Sequence, residues 1–263
     1  MSSSHQFSQP IAIIQGVGPG TGASVARKFA AKYPVVLLSR TEKSYKDIVD
    51  EINAAGGTAI GIPTDVADQE SVQKTFEKIN QLGEGGGKPK VATAVLNGLG
   101  TFVKKPFLDL TYDEFTTAYE SPGRVSTSYI ERGTFLFAHH VLPLLLAYKG
   151  TASGDSHPPT LIFTGATASI KGSAQFGSFA AGKWAARALS QSLAREFGPQ
   201  GVHVAHSIID GIIDIPRTKD WHVEHPDGKI SPEAIADAYW HLHTQPRTSF
   251  TYEIDMRPYS ERW

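Results

Sequence analysis

Apolar runs of strand length alternate with segments of helical period along the whole chain. That alternation predicts a doubly wound α/β sheet rather than separate helical and sheet regions. Ile11–Gln15 (IAIIQ) reads as a buried strand, and Gly20–Tyr33 as a helix with Ala23, Ala26, Phe29 and Ala30 on one face. Val35–Ser39 is a second strand, Tyr45–Asn53 a helix, Thr58–Pro63 a third strand, and Asp68–Leu82 a helix that Asp68 is placed to cap. After the surface loop Gly83–Lys90 comes a fourth strand, Val91–Leu96, whose unbroken apolar character suits a sheet covered on both faces.

The Pro-Gly pair within Glu120–Ser128 interrupts the rhythm, because a helix interior does not accept it. An inserted loop is predicted there, with helix resuming near Gly133 and running through FLFAHHVLPLLLA. Thr160–Thr164 is a fifth strand, Gly177–Phe197 a long helix and Val202–Ile209 a sixth strand. Asp210–Ile230 has few apolar anchors and a length that predicts a substrate lid. A helix over Pro232–His243 and a strand over Phe250–Asp255 complete a Rossmann-type α/β domain. Its expected form is one domain with a seven-stranded, mostly parallel sheet and helices on both faces.

Composition narrows the function rather than the fold. The 263 residues are 40% hydrophobic, enough to fill one large core. With 25 Lys plus Arg against 26 Asp plus Glu, the formal charge is -1, and no global field favours nucleic acid or an anionic membrane. Cysteine is absent, which removes disulfides, thiolate nucleophiles and Cys-based metal sites and fits a reducing compartment. The polar opening MSSSHQFSQP has no apolar core of signal-peptide length, and no stretch approaches the roughly 18 apolar residues of a membrane span. These features predict a cytoplasmic protein acting on a small molecule.

The 25 glycines matter through their placement. Gln15-Gly16-Val17-Gly18-Pro19-Gly20-Thr21-Gly22 stands between the first strand and the first helix. Small residues there let the backbone approach a pyrophosphate, and the helix N-terminus offers N–H groups and partial positive charge. The second strand ends Ser39-Arg40, where an NAD site carries an acid for the ribose 2′-hydroxyl. An Arg at that point pairs with a 2′-phosphate instead, so NADP(H) is the predicted cofactor.

With these features in order, the chain resembles the short-chain dehydrogenase/reductase family from about Pro10 to Pro258. Gly16, Gly20 and Gly22 match its T-G-x-x-x-G-x-G loop, with Gln15 in place of Thr. Asp65-Val66 matches the Asp that holds the adenine, and Asn97-Gly98 resembles the N-A-G segment after the fourth strand. Arg195-Glu196 and Gly201-Val202-His203-Val204 resemble the approach to the sixth strand. Gly211 and Ile213 fit the P-G-x-I-x-T turn beside the nicotinamide, with Asp210 for Pro and Ile215 for Thr. The resemblance also implies homodimers or homotetramers formed through the helices after strands four and five.

The resemblance implies a catalytic Tyr and Lys four apart on the helix after strand five, the Lys binding ribose and lowering the phenol pKa. Here that stretch reads Phe179-Ala180-Ala181-Gly182-Lys183. The family's Ser falls at Gly165 or Ala166, and its helix Asn at Ile130, so Lys183 alone survives of the four. Phenylalanine has no exchangeable proton, which closes a general-acid route worth about 10²–10⁴-fold.

Three readings follow. A carbonyl reductase could take its proton elsewhere, with Thr164, Thr167, Ser169 and Asp210 as candidate donors or oxyanion contacts. Asp210, placed beside the nicotinamide and facing apolar Phe179, would be partly desolvated and shifted toward its acid form. A reductase of conjugated C=C or C=N bonds would need only a hydrogen-bond donor or no acid at all. An inactive NADP(H)-binding sensor or scaffold would need no proton. Gly177–Lys183 superficially fits a phosphate loop, but Trp184 replaces the magnesium-binding hydroxyl and the context is helical. The histidine pairs His139/His140, His222/His225 and His241/His243 have no metal-protease spacing, and no metal is predicted.

Overall fold

A computed structural model of the chain describes residues 6–98, 104–116, 127–148 and 157–261. Seven strands form one sheet: β1 (Ile11–Gln15), β2 (Val35–Ser39), β3 (Ala59–Pro63), β4 (Val91–Leu96), β5 (Thr160–Thr164), β6 (His203–Ile209) and β7 (Glu253–Met256). Their order is β3-β2-β1-β4-β5-β6-β7, and every pairing is parallel, where the sequence predicted a mostly parallel sheet. The continuous apolar runs follow from that arrangement, since both faces of such strands are buried.

The helices are α1 (Thr21–Ala30), α2 (Lys46–Ala54), α3 (Gln69–Ile79), α4 (Tyr112–Thr116), α5 (Thr127–Tyr148), α6 (Gly177–Phe197) and α7 (Pro232–Thr244). Phe29 of α1, Ile48 of α2 and Tyr239 of α7 join one core cluster with Ile14 and Leu37; Phe76 of α3 and Phe137 of α5 join the other with Ile13 and Leu38. Ala186 and Leu193 of α6 pack against this second cluster. Asp68 caps α3 as predicted, accepting from Ser71 N at 2.6 Å.

Several boundaries differ from the sequence reading, among them the ends of α1 at Ala30 rather than Tyr33 and of α3 at Ile79 rather than Leu82. Helix α5 begins at Thr127, well before Gly133. The proposed insertion Glu120–Ser128 lies outside the described residues except for its last two, which are helical. Strand β7 starts at Glu253 rather than Phe250, because Phe250 instead stacks on His203, centroids 4.3 Å apart. The segment Asp210–Ile230, predicted as a lid, carries no helix and is tied by a parallel bridge between Ile213 and Ile230. Among the described residues no helix is long and apolar enough to cross a membrane.

Between α1 and α7, His243 is fully buried, with Nε2 2.9 Å from the Tyr33 hydroxyl and Nδ1 3.0 Å from Thr160 Oγ1. Burial pulls its pKa down to about 3. Neutral in the folded chain but charged when unfolded below about pH 6.5, this imidazole draws protons to the unfolded state as pH falls. Each pH unit below that point then costs about 1.4 kcal/mol. Urea denaturation at a series of pH values should show about 2 kcal/mol lost between pH 6.5 and 5, with a shallower slope in His243→Gln; parallel slopes would refute the assignment.

Candidate active site

The strand order turns back between β1 and β4, so a crevice opens beyond their carboxyl ends, where α/β sheets take ligands. Gly16 follows β1 with φ +81°, and a Cβ there would lie 1.7 Å from the Asn97 carbonyl oxygen. Asn97, just past β4, donates from Nδ2 to Gly16 O at 3.0 Å. A Cβ at Gly22 would stand 2.5 Å from Gly16 O and 2.8 Å from Val17 Cα, so the absence of side chains lets α1 seat directly on the loop. Among the described residues nothing lies within 4 Å of such an atom at Gly18, which leaves open space on the face of the loop.

Thr21 opens α1, whose first turn contains no acid and no side-chain cap. Ala23 N and Ser24 N are taken by Gly18 O and Gly20 O, which leaves the N–H groups of Thr21 and Gly22 for an anion, as a pyrophosphate cradle requires. Gln15, buried at the end of β1, has an Oε1 with no hydrogen-bond partner among the described residues. An orphaned acceptor next to an open loop and an uncapped helix start fits a dinucleotide.

Ser39 is half-buried and Arg40 exposed at the end of β2. Asp65 follows β3 with Oδ1 accepting from Ala67 N at 3.0 Å, and Val66 is buried beside it. Tyr129 of α5 donates its hydroxyl to the same Oδ1 at 3.1 Å. Burial first, and then the Asp65 charge, push the Tyr129 phenol well above its usual range. The sequence reading missed Tyr129 because it placed the start of α5 several residues too late.

Lys183 is buried on α6, with Nζ donating to Thr164 O at 3.0 Å. Burial pulls its pKa down to about 8. Phe179, one turn earlier and half-buried, has its ring centroid 5.8 Å from Nζ. Thr164 contributes only its carbonyl here. Its hydroxyl bonds Tyr239 Oη at 2.7 Å, in the core cluster on the opposite side of the sheet from the one Phe179 packs against. Ser169 is fully buried, and its Oγ accepts from Ala166 N.

Thr167 and Asp210 do come together, Oγ1 donating to Oδ1 at 2.5 Å. Asp210 does not have the apolar, unpaired setting anticipated for it. Its Oδ2 lies 3.1 Å from Arg257 Nη2, and Arg257 also forks onto Asp255 at 2.6 and 3.0 Å. Asp210 thus acts as an acceptor toward both partners. Arg257, missed from sequence, arrives because the segment after β7 packs on the turn: a Cβ at Gly211 would lie 2.7 Å from Pro258 Cδ.

Ile213 belongs to the bridge with Ile230, and Ile215 closes over the glycine loop, its Cγ2 2.6 Å from where a Gly20 Cβ would be. Thr218 Oγ1 bonds the backbone of both Ile213 and Ile215, and Lys229 Nζ donates to Thr218 O and Lys219 O, each at 2.7 Å. Gly98, with φ +48°, is exposed at the mouth of the crevice. Among the described residues no group of three or more potential ligands could hold a metal ion.

A family model described as short chain dehydrogenase matches residues 10–224, and the chain belongs to that family. An oxidoreductase of Staphylococcus aureus without an assigned substrate is 27% identical over 251 residues, covering 94% of this chain and 96% of its own. The crystal structure of a short-chain dehydrogenase from Rhodopseudomonas palustris superposes with a TM-score of 0.70 at 29% identity, covering 95% of this chain and 98% of that one. A metagenomic short-chain oxidoreductase, solved in complex with NADP, matches at TM-score 0.71 and 23% identity over 97% and 99% of the two chains.

Proposed function

We propose that this protein is an NADP(H)-dependent reductase of a small organic carbonyl, enone or imine, working without the family's tyrosine acid. The observation that carries the reading is the cradle at the crevice: Gly16 locked against Asn97, an uncapped α1, and Arg40 where an NAD site has an acid. When bound, the nicotinamide supplies or accepts hydride. Loop and helix N–H groups at Gly18, Gly20, Thr21 and Gly22 hold the pyrophosphate, and Arg40 with Ser39 takes the 2′-phosphate. Asp65 and Val66 border the adenine, while Asn97, Gly98, Gly211 and Ile213 shape the walls of the crevice. Lys183 uses one N–H on Thr164 O and keeps an N–H for the ribose hydroxyls.

Phe179 walls the reaction site with hydrocarbon. The paired Thr167 and Asp210 are the polar groups we assign to orient the acceptor, and water delivers the proton. We place subunit pairing on α5 and α6, where Phe135 and Trp184 are 54% and 46% exposed. A second reading, an NADP(H)-binding sensor without turnover, is favoured by one observation: the Thr164 hydroxyl is committed to Tyr239 and Gly165 offers none.

Isothermal titration tests the cofactor: NADP should bind at least about tenfold tighter than NAD, a preference of about 1.4 kcal/mol. Equal affinities would refute the role of Arg40. Loss of NADPH absorbance with a panel of carbonyls, enones and imines then separates the readings, since the sensor binds NADPH and oxidises it with none of them.

A further inference from the structure

The least explained chemistry lies under the crevice, where His206 of β6 is 1% exposed. Its Nδ1 stands 2.9 Å from Glu253 Oε2 on β7. Both Glu253 oxygens also accept from the Arg187 fork of α6, at 2.8 and 2.7 Å. A carboxylate gripped by guanidinium can only accept, so the imidazole proton must sit on Nδ1. Nε2 is then the bare nitrogen. Burial pulls the ring's pKa down to about 4, which keeps it neutral near pH 7.

That bare nitrogen faces Gly165. A Cβ on Gly165 would lie 2.5 Å from His206 Nε2 and 2.9 Å from Ser169 Oγ, so the ring excludes any side chain at Gly165, one of the two positions, with Ala166, where the family resemblance puts a serine. A cavity of about 10 Å³ opens beside it; Thr134, Thr164, Gly165, Lys183 and His206 line it together with apolar side chains. That volume admits one water, and the lining supplies the polar partners a buried water needs. Among the described residues Lys183 Nζ bonds directly to Thr164 O alone, which leaves N–H groups for the cavity. The charged or titratable groups facing His206 are Lys183 and Arg187 from α6 and Glu253 from β7.

We propose that His206 is a positioning residue for Lys183: its bare Nε2, held in that tautomer by Glu253 and Arg187, accepts a hydrogen bond from the lysine ammonium through one water in the cavity. The arrangement steadies the amine below the crevice while its remaining N–H points to the cofactor ribose, and in that respect it rests on the reductase reading above. It also explains Gly165. The histidine fills the space a side chain at Gly165 would need, and the two positions form one unit.

The test follows the Lys183 ¹³Cε resonance against pH in ¹³C-lysine-labelled full-length protein without cofactor, with the signal assigned by its disappearance in Lys183→Arg. Removing an acceptor from the ammonium favours the neutral amine. The midpoint should therefore fall in His206→Leu by about one pH unit, tenfold in proton affinity. Gly165→Ala, which displaces the ring without removing it, should shift the midpoint in the same direction and decides the matter if His206→Leu does not fold. An unchanged or raised midpoint in a folded variant overturns the proposal. NADPH affinity of the wild-type protein is measured separately, so a failure of the cofactor reading is told apart from a failure of the His206 link.

Discussion

Gly16→Ala is expected to lower the stability of the chain by about 4 kcal/mol and to abolish NADP(H) binding, through one added methyl group. Three costs coincide at this atom. The backbone holds φ +81°, which costs a residue with a Cβ about 1 kcal/mol more than glycine. The methyl would stand 1.7 Å from the Asn97 carbonyl oxygen and 2.7 Å from its carbon, and both belong to backbone that cannot rotate away. Any relief by separating the two segments breaks the Asn97 Nδ2 to Gly16 O bond, worth about 1 kcal/mol, and strains the junction of the central strands β1 and β4. Gly18→Ala is the matching control. Its methyl would meet nothing within 4 Å, so stability should stay within about 0.5 kcal/mol of the parent. Cofactor affinity should still fall, because the methyl takes the space a pyrophosphate would enter. Urea midpoints and calorimetric titration of both variants check the pair; a Gly16→Ala chain as stable as the parent would show that the loop is not the rigid cradle described.

The strands were legible because a doubly covered parallel sheet writes itself as short apolar runs, and IAIIQ, VVLLS and VATAVL all fall where those runs predicted. The glycine loop was legible for a similar reason: its constraint is local, and spacing between one strand and one helix records it. What sequence concealed depends on distant partners. Asp210 looked like a desolvated acid, yet Arg257, brought in by the turn after β7, pairs with it. Tyr129 reaches Asp65 across 64 positions, and His206 reaches Glu253 across 47. No periodicity encodes such pairs, because each is set by which strand edges the topology makes neighbours. The start of α5 was misplaced for the opposite reason: a strong local breaker at Pro122-Gly123 was weighed beyond its reach, while helix begins four residues after it.

Phe179→Tyr should raise NADPH-dependent reduction of a simple ketone by about 10²-fold, the lower end of what a placed general acid contributes. The ring already stands 5.8 Å from Lys183 Nζ on the same helix, one turn away, so the substitution adds only an oxygen at its far edge. Below about pH 8 the lysine is charged, and its field favours the phenolate over the phenol. The new hydroxyl would therefore give up its proton more readily than an isolated tyrosine, and the gain should fade as pH rises through 8. A larger gain is not expected, because neither Gly165 nor Ala166 supplies the hydroxyl that completes the family's set, and a side chain at Gly165 would collide with His206. The size of the effect also discriminates among chemistries. A carbonyl reductase with its own acid starts from measurable turnover and gains little, an enone or imine reductase gains on ketones but not on its own substrate, and a sensor gains activity from none. A folded Phe179→Tyr chain that binds NADPH and reduces ketones no faster than its parent would mean that the ring edge does not face the acceptor, and would remove Phe179 from the reaction site altogether.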